Sequence, residues 1–278
     1  MHGDIGAVGA LWRYPVKSML GEQLATARVT ERGLPGDRGF ALIDRETGKI
    51  ASAKNPRLWR ALLTCHAALV DAAVRITWPD GKYSWSTDAD VDETLSAVVG
   101  RSVTLTDVPP LEGTLDRSKP DEVLQEGLDA EVDFDIVQFG SKSPEGTFFD
   151  YAPLHLGSTA ALDFVAAHNP RELAEAQRYR PNIVIDTGSA RGFVDNDWRG
   201  RELRIGGELV LQIICATPRC AIPTLVHGEL PRDTATLRVP AEHNRISPLD
   251  DWTPGPCVGV YAQILQPGTI RTGDAVRF

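Results

Sequence analysis

The sequence predicts a mainly β protein with a few helices, built as barrel-like or mixed β units and not as a doubly wound sheet. Three observations carry this. Both halves of the 278-residue chain consist largely of short β-branched or apolar segments separated by Gly, Pro, Asp and Asn, the chemistry of strands joined by turns. Helical periodicity is confined to a few places, chiefly Asp88–Val99 and Ser158–Ala167. Strand and helix patterns do not alternate, as a parallel βαβ sheet requires.

In the first hundred residues strands are expected at Ile5–Tyr14, Glu22–Thr30, Gly39–Asp44, Ile50–Ala53, Ala61–Leu69, Ala73–Trp78 and Tyr83–Ser86. Pro79-Asp80-Gly81-Lys82 is a hairpin turn, because Asp and Gly tolerate the backbone angles it needs. Asp88 is expected to cap the Asp88–Val99 helix. Val91, Leu95, Val98 and Val99 form its apolar stripe, and Gly100 ends it. Beyond residue 150, Ser158 or Thr159 caps the helix Ser158–Ala167, and a second short helix is expected over Arg171–Arg178 after Pro170. Strands follow at Asn182–Asp186, Glu202–Ile205, Glu208–Ala216, Cys257–Gln266 and Ala275–Phe278, with Gly206-Gly207 as a hairpin signal.

Residues 112–135 differ in composition. Nine acids, including Glu112, stand against Arg117 and Lys119, after Pro109-Pro110. The stretch reads as a solvated connector, with a lid or docking face as the alternative. The expected organisation is therefore an N-terminal domain over 1–108, an acidic connector over 109–150 and a C-terminal domain over 151–278.

Charge and motifs narrow the function. Lys and Arg total 29 against 38 Asp and Glu, a formal charge of −9. That disfavours nucleic acid or an anionic membrane as partner, but leaves room for a local basic pocket. Neither a signal peptide nor an apolar span of about 20 residues is present, so the expected setting is a reducing, cytoplasmic one. The four cysteines, 65, 215, 220 and 257, and the six histidines, 2, 66, 155, 168, 227 and 243, show no metal-site spacing. The phosphate-loop, dinucleotide and hydrolase-elbow motifs are missing.

Four segments remain as chemistry. Lys17-Ser18, after the first strand, offers an ammonium and a hydroxyl to an anion. Arg38, in Gly36-Asp37-Arg38-Gly39, can approach a phosphate closely. Arg180 and Asn182 precede a buried strand and suit a ligand carrying both phosphate and heterocyclic edges. Cys220 follows Arg219 at a strand end, where the cation favours a thiolate. Cys65, Cys215 and Cys257 read as buried small apolar residues. A loop or capping role is expected for Asp195 and Asp197.

In order and spacing, Arg180-Pro181-Asn182-Ile183-Val184, Asp197-Trp198, Arg204-Ile205-Gly206 and Thr217-Pro218-Arg219-Cys220 resemble the MOSC domain, as do residues 256–262 and 267–274. That domain is named after the C-terminal domain of molybdenum-cofactor sulfurases. Residues 14–18 and 36–38 resemble the β-barrel domain that precedes it. The resemblance implies an N-terminal β-barrel-like domain and a MOSC β-barrel domain with a cofactor cleft between them. It implies a molybdenum cofactor (Mo-molybdopterin), with Cys220 as the metal ligand and catalytic centre. Lys17, Ser18, Arg38, Ser158, Arg180, Asn182 and Arg219 would hold the cofactor. It further implies reduction of N-hydroxylated small molecules such as amidoximes. No ferredoxin-type or pyridoxal-phosphate module is legible in the chain. Electrons are therefore expected from a separate donor protein, whether ferredoxin-like, cytochrome b5-like or a flavin reductase. A persulfide relay through Cys220 and a non-catalytic cofactor-binding module are the alternatives.

Overall fold

A computed structural model of the protein describes residues 3–111, 113–138 and 142–278. Glu112, counted among the acids of the connector, and Met1 and His2 lie outside the described residues. The chain is mainly β with a few helices, as its turn-punctuated segments predict.

Seven strands close into a barrel. In order around it they are Leu154–Ser158, Ile183–Asp186, Asp4–Arg13, Ala275–Arg277, Glu202–Ile205, Leu209–Pro218 and Gly255–Gln266, which pairs back with the first. The strand that opens the chain is thus a stave of the barrel built by its last 125 residues, between Ile183–Asp186 and Ala275–Arg277. Closure leaves no free edge. Leu11, Leu156, Ile183, Leu203, Leu211, Ile213 and Val260 fill the interior, and Trp198 lies against them.

The other strands form smaller sheets. Ala41–Asp44 pairs with Val103–Thr106, while His66–Val70, Ala73–Thr77 and Tyr83–Trp85 make a meander. They surround a second core of Val16, Met19, Leu42, Leu62, Val74, Ile76 and Leu95. Thr26–Val29 crosses to pair with Gly268–Arg271.

Several sequence expectations are corrected. A βαβ unit does occur: Leu154–Ser158 and Ile183–Asp186 are parallel, linked through the helix Thr159–Ala167. Its long return loop hides the alternation in the sequence. Ser158 caps that helix, its hydroxyl accepting from Ala161 N. The helix expected from Asp88 begins instead at Val91, because the Asp88 carboxylate is engaged by Trp85 N at 2.7 Å. Gly100 ends it at φ 71°, as expected. Only Ala176–Tyr179 of the expected Arg171–Arg178 helix forms. Asn169 captures Arg171 N, and the Arg171 side chain is tied to Asp233. Ile50–Ala53 makes a single bridge and no strand, and Arg60–Thr64 is a 3-10 turn ahead of His66–Val70. The helices Pro120–Glu126 and Ala235–His243 were not anticipated, the latter because Pro240 lies inside it.

The acidic stretch is folded. Thr114–Ser118 pairs with Phe134–Gln138. Leu115 is buried with Ala41, Ile50 and Phe148. Four of its acids are answered by cations of both halves: Asp116 by Lys49, Glu131 by Arg57, Asp129 by Arg60 and Asp121 by Arg245. Among the described residues no helix is long and apolar enough to cross a membrane.

One barrel position tests the closure. Gly6 sits at φ 148° where the first strand changes register, and a Cβ there would lie 1.9 Å from the Asp186 carbonyl oxygen. Gly6→Ala is expected to cost about 2–3 kcal/mol in chemical denaturation. An unchanged midpoint would show that the bulge relaxes freely.

Candidate functional site

The first barrel strand ends at Arg13, and the chain turns sharply through Tyr14 to Met19. Lys17 N donates to Phe40 O, and Met19 N closes a turn on Val16 O. The turn forces Ser18 to φ 64°. Its hydroxyl accepts from Ala53 N at 3.0 Å. Lys17 is buried, and its ammonium donates to Phe148 O at 2.8 Å and to Asp150 at 2.6 Å. Lys54 meets the same Asp150 oxygen at 3.0 Å.

The second turn places Asp37 and Arg38. Asp37 is buried and receives three hydrogen bonds: from Tyr14 N at 2.7 Å, Arg38 Nη1 at 2.6 Å and Asn182 Nδ2 at 2.9 Å. Arg38 has φ 47°, and its Nη2 donates to Arg180 O at 3.1 Å. Arg180, at φ 57°, donates to Met19 O. The guanidinium carbons of Arg38 and Arg180 lie 4.5 and 4.3 Å from the Tyr14 ring centroid, within cation–π range. Asn182 completes the joint by accepting from His155 N at 3.1 Å.

On the barrel side, Arg219 is buried among neutral acceptors. Nε donates to Val258 O, Nη1 to Tyr179 O and Nη2 to Val258 O. Nη2 also meets His155 Nε2 at 2.6 Å. Guanidinium can only donate, so His155 Nε2 is the acceptor and the ring is neutral. Burial first, and Arg219 second, push this imidazole well below its ordinary pKa. Cys220 follows directly, packed against Ala53, Leu63, Ile222 and Leu225 of both halves.

Together these groups line one cavity of about 250 Å³. Lys17, Ser18, Arg38, Arg180, Asn182, Arg219 and Cys220 all reach it. Ser158 does not line it: it is fully buried and hydrogen-bonded to Asp195, which also accepts from Gly259 N. Ser158 and Asp195 thus tie the βαβ unit to the Gly255–Gln266 strand, behind the cavity wall. Sequence reasoning missed Ser52, Lys54, Arg117, Asp150, His155 and Tyr261, which also line it. Nothing but an isolated polar residue beside a turn marked them. Asp37 and Tyr14 sat inside motifs already singled out, yet their part as supports was not legible.

The cavity is strongly cationic. Lys17, Arg38, Lys54, Arg117, Arg178, Arg180 and Arg219 line it, with Asp150 as the one carboxylate in the wall among the described residues. Asp37 answers Arg38 and Glu175 answers Arg178 from behind. Among the described residues neither Arg180 nor Arg219 has a carboxylate partner. Burial, then Arg38, lowers the pKa of Arg180 to about 10, and burial lowers that of Arg219. Burial lowers the pKa of Lys17 to about 8, with Asp150 as partial offset. Burial would raise the Asp150 carboxyl, but Lys17 and Lys54 outweigh it and hold it below the usual carboxylate range. Lys17, Arg178 and Arg219 are buried and the other four half-buried, and so many cations with few counter-charges favour an anionic occupant. Burial raises the pKa of Cys65 and Cys257 to about 11 and of Cys215 to about 12.

Comparisons with known proteins accord with this architecture. Residues 5–108 match the MOSC N-terminal beta barrel domain, and residues 144–277 match the MOSC domain. The chain is 25% identical to mouse mitochondrial amidoxime-reducing component 1, over 98% of this chain and 82% of the relative. It is 24% identical to the human protein of that name, over 98% and 83%. Among solved structures it is similar to the YUAD protein from Bacillus subtilis, with a TM-score of 0.46 and 10% identity, over 100% of this chain and 95% of that one.

Two tests follow from the geometry. Asp37→Ala strips a buried carboxylate from Arg38, Tyr14 N and Asn182, and is expected to cost about 3–5 kcal/mol in denaturant unfolding. A loss below 1 kcal/mol would mean water replaces the carboxylate. The second test uses Lys17. Its folded pKa of about 8 lies below the unfolded value of 10.5. The unfolded chain therefore binds the proton more tightly, so the charge on Lys17 destabilises the empty fold below pH 8, and this penalty fades as pH rises. An anion reverses the sign by stabilising the ammonium. The rise in melting temperature caused by sulfate, which does not titrate here, should be severalfold smaller at pH 9 than at pH 7. Lys17→Met should remove that difference; equal rises at both pH values in the wild type would refute the assignment.

Proposed function

The chain belongs to the family that joins a MOSC N-terminal beta barrel domain to a MOSC domain, and on that premise we propose that it is a molybdenum-cofactor oxidoreductase acting on N-hydroxylated small molecules. The observation that carries the reading is a single one. The Cys220 thiol shares a cavity with buried and half-buried cations that outnumber the carboxylates answering them.

The residues fit the group. A dithiolene-bearing molybdopterin has a soft metal and an anionic phosphate. The cavity offers a soft sulfur ligand at Cys220 and guanidinium and ammonium donors at Lys17, Arg38, Arg180 and Arg219. Cys220 would ligate the metal. Ser18 and Asn182 would present hydroxyl and amide groups to the heterocycle, and Lys54 and Arg117 extend the cationic wall. When bound, the cofactor would supply two-electron cleavage of the N–O bond, in which R–NHOH, two electrons and two protons give R–NH2 and water.

The protein's own part is positioning. Asp37 and Tyr14 hold Arg38 and Arg180, and His155 with the Val258 and Tyr179 carbonyls holds Arg219 beside Cys220. Lys17 and Asp150 form a hydrogen-bonded pair at the cavity wall that can hold a proton. The electrons come from a separate donor protein. Similarity to the amidoxime-reducing component, whose name states its reaction, supports this choice of substrate class.

The deciding measurement is molybdenum per protein, in wild type and Cys220→Ala, purified from a host that makes molybdopterin. Near-stoichiometric metal in the wild type, lost in the variant, is expected, together with benzamidoxime reduction driven by reduced methyl viologen. Metal-free wild type from a host that loads a control molybdoenzyme would overturn the reading. A persulfide on Cys220 by mass spectrometry would then identify a sulfur relay.

A further inference from the structure

A second cleft of about 370 Å³ lies beside the cationic cavity and shares four of its wall residues: Arg117, Pro218, Arg219 and Trp252. It runs between the folded acidic segment and the loop ahead of the Gly255–Gln266 strand. Its floor is the end of the Leu209–Pro218 strand, one residue from Cys220. The two spaces differ in chemistry. Pro120, Pro218, Pro248, Pro254 and Pro256 line the second, giving stiff apolar walls without backbone donors of their own. Its charges come within one of balance: the guanidiniums of Arg117, Arg219 and Arg245 face the carboxylates of Asp121 and Asp135. Arg245 is paired with Asp121, and Asp135 stands opposite Arg117 across the hairpin. Arg219 spends its donors inward on the Val258 and Tyr179 carbonyls and His155. A cleft of this kind does not select an anion.

Trp252 gives it a recognition surface. The indole is 36% exposed, and one edge packs on Tyr151 at 5.4 Å between ring centroids. Tyr151 continues to Tyr261, and Tyr261 to His155, so an aromatic wall leads from the cleft to the Arg219 guanidinium. An exposed indole among prolines, held from behind by another ring, is a platform for a flat apolar molecule.

We infer that this cleft is the substrate port, in which a neutral, planar aromatic or heteroaromatic N-hydroxylated base stacks on Trp252 with its N–O group directed past Pro218 toward Cys220. The inference rests on the proposed function, because an anionic cofactor in the first cavity leaves the cleft as the open side of the Pro218–Arg219 wall. It goes further in naming the port, its anchor and the charge class it admits.

The test measures binding apart from turnover. Benzamidoxime is titrated against the molybdenum-loaded wild type, Trp252→Ala, Trp252→Phe and Thr253→Arg by calorimetry, and KM and kcat are read in parallel. Thr253 is exposed and lines the cleft, so an arginine there obstructs the port without touching the core. Trp252→Ala and Thr253→Arg should each weaken binding and raise KM at least tenfold at unchanged molybdenum content, and Trp252→Phe should recover most of the loss. A neutral ring should bind at least tenfold better than its carboxylate-bearing analogue, 4-carboxybenzamidoxime. Wild-type affinity and KM in both variants would overturn the port while leaving the proposed function standing. Absence of benzamidoxime binding to the wild type would overturn the port as well. Binding that depends on Trp252 in a protein with no turnover would support the port and count against the proposed reaction alone.

Discussion

The site depends on the Asp37 carboxylate. It lies where the first barrel strand has ended, the Leu34–Gly39 turn passes, and Asn182 leads into Ile183–Asp186. One buried anion thereby fixes a backbone N–H, a guanidinium and an amide from three separate stretches of chain. Removing it leaves the half-buried Arg38 without a counter-charge and the two turns without a common acceptor. The Tyr14 ring adds the apolar half of the same joint, offering its face to both Arg38 and Arg180. Two like charges are held near each other because each has other partners: Asp37 for Arg38, and the Met19 carbonyl for Arg180.

Backbone strain is concentrated at the same place. Of the five non-glycine residues with positive φ among the described residues, Ser18, Arg38 and Arg180 all line the cavity. Side chains resist that conformation, and such residues persist only where surrounding contacts over-determine them. Here those contacts are the Ala53 N–H on Ser18, Asp37 on Arg38 and Met19 O on Arg180. Each left-handed residue turns its side chain into the space instead of along a strand. The barrel accordingly supplies rigid ends, and short strained turns deliver the chemistry.

Charge is distributed against the overall balance of the chain. A protein of net charge −9 keeps a cationic interior cavity. Four acids of its most acidic stretch are taken up by ion pairs with Lys49, Arg57, Arg60 and Arg245. Apart from the half-buried Lys49–Asp116 pair, these pairs are exposed and individually weak, but they lay the segment across both halves of the molecule. From there it supplies Arg117, Val137 and Gln138 to the cavity wall. A stretch that reads as a solvated connector is in tertiary terms part of the site's enclosure.

Local chemistry alone determined the strands, several turns and the segments that carry the ligand-binding groups. Short apolar segments bounded by turn residues, Gly100 as a helix stop and the Pro79–Lys82 hairpin are properties of neighbouring residues, so a linear reading recovers them. The four polar motifs were visible for the same reason: each packs unusual residue types into a few positions. What lay beyond that reading depends on contacts between residues far apart in the chain. The place of Asp4–Arg13 in the barrel is set by pairing with strands more than 170 residues away. Ser158 lies behind the wall because Asp195 claims its hydroxyl, and Asp88 fails to cap its helix because Trp85 N claims its carboxylate. Lys54, Asp150 and His155 become cavity residues only through partners at Lys17 and Arg219. The sequence determined which groups were available; burial and long-range hydrogen bonding decided which of them face the cavity, because a polar side chain goes where its partner lies.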